Sequence, residues 1–553
     1  MNARQSVFAL DSTRALDQIS AQWDGDIVKQ LTDYIAIPAK SPTFDSDWQA
    51  HGYIDTVMRN AAAWVEAQKV EGLSLEVVRI EGRTPVLFFE IPASSGKTGS
   101  RVGVPSSPAG AAEPALPGRR RRPCRPPDGE TPPLCVPSQP ALAGSEPRHT
   151  APSGGSEPHE VGSVGATILL YGHLDKQPEF TGWRNDLSPW QAKYEGGKLY
   201  GRGGADDGYA VYASIAAVQA LKAQGVPHPR IVGLIETCEE SGSYDLLPYV
   251  DALKARLGEV ALVVCLDSGA GNYDQLWLTT SLRGNAAGTL KVEILTEGVH
   301  SGDASGLVPD SFRVLRHVLD RLEDSGTGRL LPASFHCEIP FERRAQAEVT
   351  AKILGDEITK RFPWAHYDCE GASSFALPTT TDPVEALLNR TWRPTLSVTG
   401  AEGFPALKDA GNVLRPYTAF KLSLRFPPLV DAGLAVQELK KLLEDNAPYQ
   451  AKVTFDSQGS ATGWNAPATV PWFEQALTEA SQNFFGAPCG TIGQGGTIPL
   501  MAMLSRGFPK AQLMVCGVLG PKSNAHGPNE FLHVPYAKKL TAAVAQVMAQ
   551  MPG

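Results

Sequence analysis

The sequence predicts an α/β fold in which a mostly parallel sheet has helices on both faces, and in which an α+β domain is inserted. Short, nearly continuous apolar segments alternate with helical patterns in the outer parts of the chain, as in parallel strands that are covered on both faces. Segments of alternating polarity between them indicate a sheet with one solvated face. The 553 residues also exceed what one core usually holds.

The N-terminal part predicts two helices and two strands. Apolar residues at helical spacing from Trp23 to Ile35 predict the first helix, which Pro38 ends. A second helical pattern covers about 50–68, and LSLEVVRI and TPVLFFEI have the composition of strands. This part, 1–94, is assigned to the catalytic domain.

Residues 95–163 are predicted to be a disordered, proline-rich insertion. Fourteen of the 44 prolines lie between 105 and 158, and Phe, Trp and Tyr are absent between residues 90 and 170. Such a segment cannot bury enough apolar surface to offset the entropy lost on ordering. Because of the four arginines at 119–122, an interaction module in this segment remains an alternative, although such a run more commonly belongs to a solvated segment.

The rest of the chain alternates between strands and helices. ATILLYG (166–172), RIVGLIE (230–236) and VALVVCLD (260–267) predict buried strands, with helices at about 209–223 and 244–256 between them. These elements place 164–282 in the catalytic domain. GTLKVEILTEG, a helix at about 309–323 and AFKLSLRFPP (419–428) predict the α+β domain at 283–460. A helix from Val470 and the strand AQLMVCGVL (511–519) return the chain to the catalytic domain at 461–553.

Histidine and carboxylate side chains follow the carboxyl ends of the buried strands, where open α/β sheets bind ligands. Each short motif has a common structural explanation when taken alone, such as a helix cap by an aspartate. Converging carboxylates, however, repel one another unless cations neutralise them. The set therefore indicates two divalent metals, with zinc preferred for mixed ligands and manganese or cobalt as alternatives. Its members are His173, Asp175, Asp206, Asp207, Glu239, Glu240, Asp267 and His526.

Six motifs occur in an order that resembles one known superfamily. They are HLD, GRGGADD, CEESGS, LDSG, GVHSGDASG and NAHGPNE. In this order they are similar to the di-zinc aminoacylase and glutamate carboxypeptidase superfamily of metallopeptidases, and the spacing and the GGTIP segment most resemble its carnosinase-like dipeptidase branch. The resemblance implies two divalent cations per subunit and a homodimer formed through a lid/dimerisation domain at 283–460.

The resemblance also implies a role for each matching residue. Asp206 would bridge the two metals, although Asp207-Gly208 departs from the family pattern and leaves open which aspartate bridges. Asp175 would orient His173, Glu239 would be the general base, and His300 would enter the partner subunit's site. The implied metal ligands are His173, Asp206, Glu240, Asp267 and His526, and the implied substrate-binding residues are Arg425, Gly495, Gly496 and Thr497.

The predicted function is hydrolysis of the amide bond of dipeptides or small peptides by a water that bridges two divalent cations. An N-acyl amino acid deacylase or carboxypeptidase with the same site remains an alternative. A non-catalytic binding protein of the same fold is a further alternative, against which the intact Glu239 argues.

Composition narrows the partners and the compartment. The net charge of −9 argues against nucleic-acid binding, and no apolar run reaches the ~18–20 residues of a membrane span. We expect no signal peptide at the N-terminus. Eight cysteines without CxxC spacing favour a reduced, cytoplasmic protein.

Overall fold

The computed structural model describes residues 9–94, 166–369 and 372–552. The insertion predicted at 95–163 lies outside the described residues. The described residues all belong to one compact unit. None of the helices in these ranges combines the length and the apolar character that a membrane span requires.

The described residues form fifteen α-helices, which are distributed along the whole of the described chain. Between α1 and α2 the backbone continues through one π-helical turn, Trp23–Ile27. The helices are α1 (Ser12–Gln22), α2 (Val28–Ile35), α3 (Trp48–His51), α4 (Tyr53–Ala67), α5 (Ala210–Ala223), α6 (Leu246–Leu257), α7 (Ser301–Ala304), α8 (Ser311–Leu319), α9 (Phe341–Leu354), α10 (Glu357–Lys360), α11 (Pro383–Thr391), α12 (Ala432–Glu444), α13 (Pro471–Phe485), α14 (Pro499–Gly507) and α15 (Val534–Ala549).

The strands form one large mixed sheet, one antiparallel sheet and several small ones. They are β1 (Ser74–Val78), β2 (Val86–Ile91), β3 (Ala166–His173), β4 (Lys193–Glu195), β5 (Lys198–Tyr200), β6 (Arg230–Glu236), β7 (Glu259–Cys265), β8 (Trp277–Leu282), β9 (Gly284–Glu293), β10 (Val299–His300), β11 (Glu323–Asp324), β12 (Arg329–Leu330), β13 (His366–Cys369), β14 (Ala372–Phe375), β15 (Thr395–Glu402), β16 (Val413–Leu414), β17 (Tyr417–Phe426), β18 (Lys452–Ala461), β19 (Trp464–Asn465), β20 (Gly490–Gln494), β21 (Gln512–Val515) and β22 (Phe531–His533).

The central sheet has the strand order β1-β2-β6-β3-β7-β21. Strands β6, β3, β7 and β21 run parallel to one another, whereas β2 pairs antiparallel with both β6 and the edge strand β1. The carboxyl ends of the parallel strands therefore meet at one edge, which is where HLD, CEESGS and LDSG lie.

Helices cover both faces of this sheet. Successive side chains of a strand point to opposite faces, so Ile168 and Leu170 of β3 pack into a core with α5 and α15. Leu169 and Tyr171 of the same strand pack into a second core with α6 and α14. This explains why ATILLYG is apolar at nearly every position.

The second sheet is antiparallel, with the order β15-β17-β9-β18. Strand β9 alternates between buried and partly exposed residues, because one face packs against α8 and α12. The alternating polarity of GTLKVEI thus reflects a single buried face. The segment from α9 to α11 is different, because Ala351, Leu354 and Leu387 join the core of the central sheet.

Two elements differ from the sequence pattern. The apolar segment 511–519 forms a strand only over β21 (Gln512–Val515), and the chain then passes so close to the loop after β7 that a Cβ on Gly517 would lie 2.0 Å from the carbonyl oxygen of Ser268. Strand β8 is fully buried although it contains Thr279, Thr280 and Ser281. These polar residues hide the strand in the sequence pattern. Inside the protein, Thr279 Oγ1 lies 2.8 Å from Ser268 Oγ and Thr280 Oγ1 donates to Gln346 Oε1 at 3.0 Å, so hydrogen bonds satisfy both threonines.

Candidate metal centre and substrate pocket

A cavity of about 860 Å³ lies at the carboxyl edge of the central sheet. Its acidic lining comes from the loops that follow the parallel strands. Another part of its wall comes from the ends of β9, β17 and β18, which contribute Asn285, Arg425 and Ser460. The inserted sheet therefore closes over the edge at which the motifs converge.

One group of ligand atoms surrounds the Nε2 atom of His173, the last residue of β3. This atom lies 3.6 Å from Asp206 Oδ1 and 3.9 Å from Asp267 Oδ2. Asp267 follows β7, the neighbouring parallel strand, and Asp206 lies in the tight turn Gly204–Gly208 that leads into α5. Three potential ligands from three segments thus converge within reach of one cation.

A second group surrounds His526 and shares Asp206 with the first. His526 Nε2 lies 2.9 Å from Asp206 Oδ2 and 3.3 Å from Glu240 Oε2. Asp206 therefore directs one carboxylate oxygen to each group. Burial lowers the pKa of His526, but Glu240 and Asp206 outweigh this effect and raise it to about 10.

Asp206, and not Asp207, is the shared residue. Asp207 is completely buried, and both of its carboxylate oxygens lack a hydrogen-bond partner among the described residues. Its side chain lies behind β3, where Oδ2 would be 2.8 Å from a Cβ on Gly172. The peptide bond between the two aspartates is cis. The sequence left open which aspartate bridges, and the geometry favours Asp206.

The residues present fit a pair of divalent cations. His173 Nε2 is buried and has no hydrogen-bond partner in the described part of the chain, which suits an imidazole nitrogen that binds a metal. Four bonds of ~2.0–2.1 Å around zinc place neighbouring ligand atoms roughly 3.3 Å apart, close to the separations in both groups. Burial raises the pKa of Asp267 well above its ordinary value, as does the nearby Asp206. Cations would relieve that repulsion.

Asp175 supports the first group from behind. His173 Nδ1 lies 3.1 Å from the carbonyl oxygen of Asp175 and 3.4 Å from its Oδ1. Both acceptors favour a proton on Nδ1, which leaves Nε2 free to bind a metal. The carboxylate of Asp175 also accepts hydrogen bonds from the backbone N–H groups of Glu239, at 3.2 Å, and Glu240, at 3.0 Å. One buried side chain thereby aligns the His173 and Glu239–Glu240 segments.

Glu239 lines the cavity beside the second group. Its side chain makes no hydrogen bond with the described residues, so both oxygens are available to a substrate or a water. Burial raises the pKa of its carboxyl group well above the ordinary value, and the neighbouring Asp267 and Glu240 raise it further. An unpaired carboxyl group with a raised pKa suits a residue that takes up and releases a proton.

The implied substrate-binding residues meet at the other side of the acidic lining. Arg425, near the end of β17, donates a hydrogen bond from Nη1 to Thr497 Oγ1 at 3.1 Å. Arg425, Gly496 and Thr497 line the cavity, whereas Gly495 contributes its carbonyl oxygen as the acceptor for Arg283 Nε at 3.3 Å. Burial lowers the pKa of Arg425, although a guanidinium stays charged at neutral pH.

His300 lies apart from the other implied catalytic residues, because it neither lines this cavity nor belongs to either ligand group. It lies on β10, paired with Val413 of β16, and its side chain is exposed. A role at a catalytic site therefore requires a second subunit.

A buried ion pair behind His526 was not predicted from the sequence. Arg202 donates to Glu530, and the two side chains are 1% and 0% exposed. Arg202 Nη2 also donates to the carbonyl oxygens of His526 and Gly527, each at 2.9 Å. Arg202 lies in the GRGGADD motif and Glu530 in the NAHGPNE motif. One basic and one acidic residue in two motifs that meet at the site were the sequence signal that could have predicted this pair.

Comparison with known proteins identifies the family. Residues 169–550 match the model of peptidase family M20/M25/M40. The chain belongs to this family. The predicted resemblance and the assignment as a hydrolase are thereby confirmed.

Similar proteins support the dipeptidase branch. The chain is 30% identical to the cysteinylglycine-S-conjugate dipeptidase of Corynebacterium striatum over 386 residues, which are 67% of this chain and 79% of that protein. It is 28% identical to the Beta-Ala-His dipeptidase of Homo sapiens over 415 residues, or 71% of this chain and 77% of that protein.

Solved structures share the fold. The di-peptidase Dug1p of Saccharomyces cerevisiae superposes with a TM-score of 0.69 at 20% identity, covering 99% of this chain and 100% of that one. Human carnosine dipeptidase 1 gives a TM-score of 0.69 at 21% identity, with 98% and 100% covered. The predicted fold class is therefore confirmed.

Proposed function

We propose that the protein is a dinuclear metallodipeptidase that hydrolyses the amide bond of dipeptides or small peptides. The observation that carries the proposal is the pair of ligand groups that share Asp206 beside the unpaired Glu239. We assign His173, Asp206 and Asp267 to one metal and Asp206, Glu240 and His526 to the other. Zinc suits this donor set, with manganese or cobalt as alternatives.

The chemistry follows from the positions of these side chains. Divalent cations bound by these ligands would act as Lewis acids and would lower the pKa of water from 15.7 to about 7. Glu239 accepts the proton of the attacking water and delivers it to the nitrogen of the leaving amine. Asp175 keeps His173 in the tautomer that leaves Nε2 free.

Arg425 gives the pocket its preference for a free carboxylate. A guanidinium can donate two parallel hydrogen bonds to a carboxylate, which selects the C-terminus of a short peptide over an internal peptide bond. Thr497 fixes the guanidinium through its hydrogen bond to Nη1. Gly496 leaves the adjacent wall without a side chain.

The proposal extends to a homodimer in which His300 acts on the partner subunit's site. Large exposed apolar side chains mark interaction surfaces. Two such side chains belong to this region: Val413, the strand partner of His300, is 55% exposed, and Leu307, seven residues after His300, is 86% exposed. Once there, His300 would donate a hydrogen bond to the oxyanion that forms at the substrate carbonyl, an effect commonly worth ~3–4 kcal/mol.

We place the enzyme in the cytoplasm. Each cysteine whose side chain the structure describes is a free thiol, namely Cys238, Cys265, Cys337, Cys489 and Cys516. Free thiols are the norm in reducing compartments.

The test is a panel of dipeptides and N-acyl amino acids, assayed with the zinc-loaded protein and with Glu239→Gln. We expect dipeptide hydrolysis that Glu239→Gln abolishes while two metal ions per subunit remain bound. The exposed Glu474→Gln, on α13, is the matched control and should retain full activity. Turnover by Glu239→Gln would remove Glu239 as the base, and hydrolysis confined to N-acyl amino acids would make the protein a deacylase.

A further inference from the structure

Arginine side chains form a cationic region beside the metal centre, and the proposed mechanism uses only one of them. Arg361 and Arg425 both line the cavity. Arg283 and Arg390 lie behind them, in contact with the segment around Gly495. We call these four residues the arginine cluster.

The cluster is contiguous. Burial, Arg425 and Arg390 together lower the pKa of Arg283 to about 9. Burial and the nearby Arg361 lower the pKa of Arg390 to about 10. The contacts agree, because Thr497 Oγ1 accepts from Arg425 Nη1 and donates to the carbonyl oxygen of Arg283. A Cβ on Gly495 would lie 3.1 Å from Arg283 Nη2 and 3.6 Å from Arg390 Cγ. Helix α11, which carries Arg390, packs against α10, which Arg361 follows directly.

Among the described residues, none of the four arginines forms an ion pair with a carboxylate. Glu357, one turn before Arg361, favours the charged form of Arg361 only from an exposed position. Among the described residues, the acidic side chains that line the cavity all belong to the metal centre: Asp206, Glu239, Glu240 and Asp267. Cations bound there would offset those negative charges and leave the arginine cluster unbalanced.

The inner arginines differ in what they bind. Arg283 donates to neutral oxygens, those of Gly495, Arg393 and Thr395, so it has a structural role and keeps its charge. Arg390 is different, because its Nε and Nη2 atoms are buried and have no hydrogen-bond partner among the residues that the structure describes. Buried charged donors without partners are costly, and an anion is the group that satisfies them. A single α-carboxylate on Arg425 does not account for this much positive charge.

We propose that Arg361, supported by Arg390, forms a second anion subsite that binds an additional carboxylate of the substrate. Because the cluster is continuous with Arg425, the second carboxylate belongs to the same amino acid as the first. The substrate class is therefore dipeptides with aspartate or glutamate at the C-terminus, an inference that rests on the proposed peptidase function and refines it.

Isosteric substrates test the subsite. Ala-Glu and Ala-Gln differ in one charge and hardly in shape, as do Ala-Asp and Ala-Asn. We expect the zinc-loaded enzyme to prefer the acidic member of each pair by about tenfold or more in kcat/KM, the size of a charge-assisted hydrogen bond. Arg361→Gln should bring both ratios close to one, and Arg361→Lys should retain part of the preference. Arg59→Gln, an exposed arginine of α4, is the matched control that should leave the ratios unchanged.

Three results would overturn the subsite. They are equal kcat/KM for the isosteric pairs in the unaltered enzyme, ratios that Arg361→Gln leaves unchanged, and an acidic preference confined to Asp-Ala over Asn-Ala. The subsite and the proposed function fail separately. If no dipeptide is hydrolysed, the peptidase proposal fails, and calorimetric titration of the zinc-loaded protein with Ala-Glu and Ala-Gln decides the subsite. A preference for Ala-Glu that Arg361→Gln removes supports it, and equal affinities refute it.

Discussion

The Arg202–Glu530 pair couples the stability of the fold to the second metal group. Arg202 precedes Asp206 by four residues, and Glu530 follows His526 by four. Glu530 accepts a hydrogen bond from the backbone N–H of Gly203 at 2.9 Å, while Arg202 binds the carbonyl oxygens of His526 and Gly527. The pair therefore joins the two loops that carry ligands of the second group. We expect Arg202→Met to loosen both.

The magnitude follows from burial. Removing one partner of a buried ion pair typically costs ~3–5 kcal/mol, because the other charge is left unpaired. Over a folded region of about 470 residues, an unfolding entropy of roughly 2.1 cal/mol/K per residue amounts to ~1 kcal/mol/K, so the melting temperature should fall by about 3–5 °C. Arg202→Met/Glu530→Met, which removes both charges, should recover most of this loss.

Two measurements check this prediction. Differential scanning calorimetry with a chelator isolates the pair from metal binding. Metal analysis after equilibration in zinc-buffered solution should find that Arg202→Met loses one of two ions, since supporting residues commonly contribute 10–100-fold to metal affinity. The reasoning is refuted if the single variant melts within 1 °C of the parent protein, or if the double variant is no more stable than the single one.

Three further predictions address the metal centre. Chelation should abolish hydrolysis, and zinc, manganese or cobalt should restore it; activity that persists in excess chelator contradicts a metal mechanism. If His300 acts across the dimer, mixing inactive His300→Ala and Glu239→Gln subunits should recover about a quarter of parental activity, because half of the dimers then hold one complete site; no recovery on mixing would exclude this role. Burial raises the pKa of Glu236 to about 7, with a contribution from Asp175. The folded metal-free protein therefore keeps a proton on Glu236 that the unfolded chain releases near pH 4. The part of the folding stability that depends on this proton is lost as pH rises through about 7. Glu236→Gln should therefore raise the melting temperature of the metal-free protein at pH 8 but not at pH 5, and an equal effect at both pH values would contradict this.

The sequence predicted the strands of the central sheet because burial on both faces leaves its mark within each short segment. A strand buried on both faces must be apolar at nearly every position, which ATILLYG and RIVGLIE satisfy. Parallel strands end at a common edge, so the residues that follow them had to converge. The same argument misses β8, whose Thr279 and Thr280 are buried, because their hydrogen-bond partners Ser268 and Gln346 lie outside the strand and cannot be read from its pattern.

The sequence by itself thus predicted which loops meet at the edge of the sheet, and it identified the peptidase family to which their motifs belong. Only the tertiary structure distinguishes Asp206 from Asp207, since the carboxylate of Asp206 lies near both histidines and that of Asp207 is buried behind β3. It also revealed the Arg202–Glu530 pair and the arginine cluster, whose members are separated by up to hundreds of residues. Hydrophobic periodicity indicates which face of a helix or strand is buried. Which charged side chains lie next to one another depends on which faces pack together, and that is fixed only when the chain is folded.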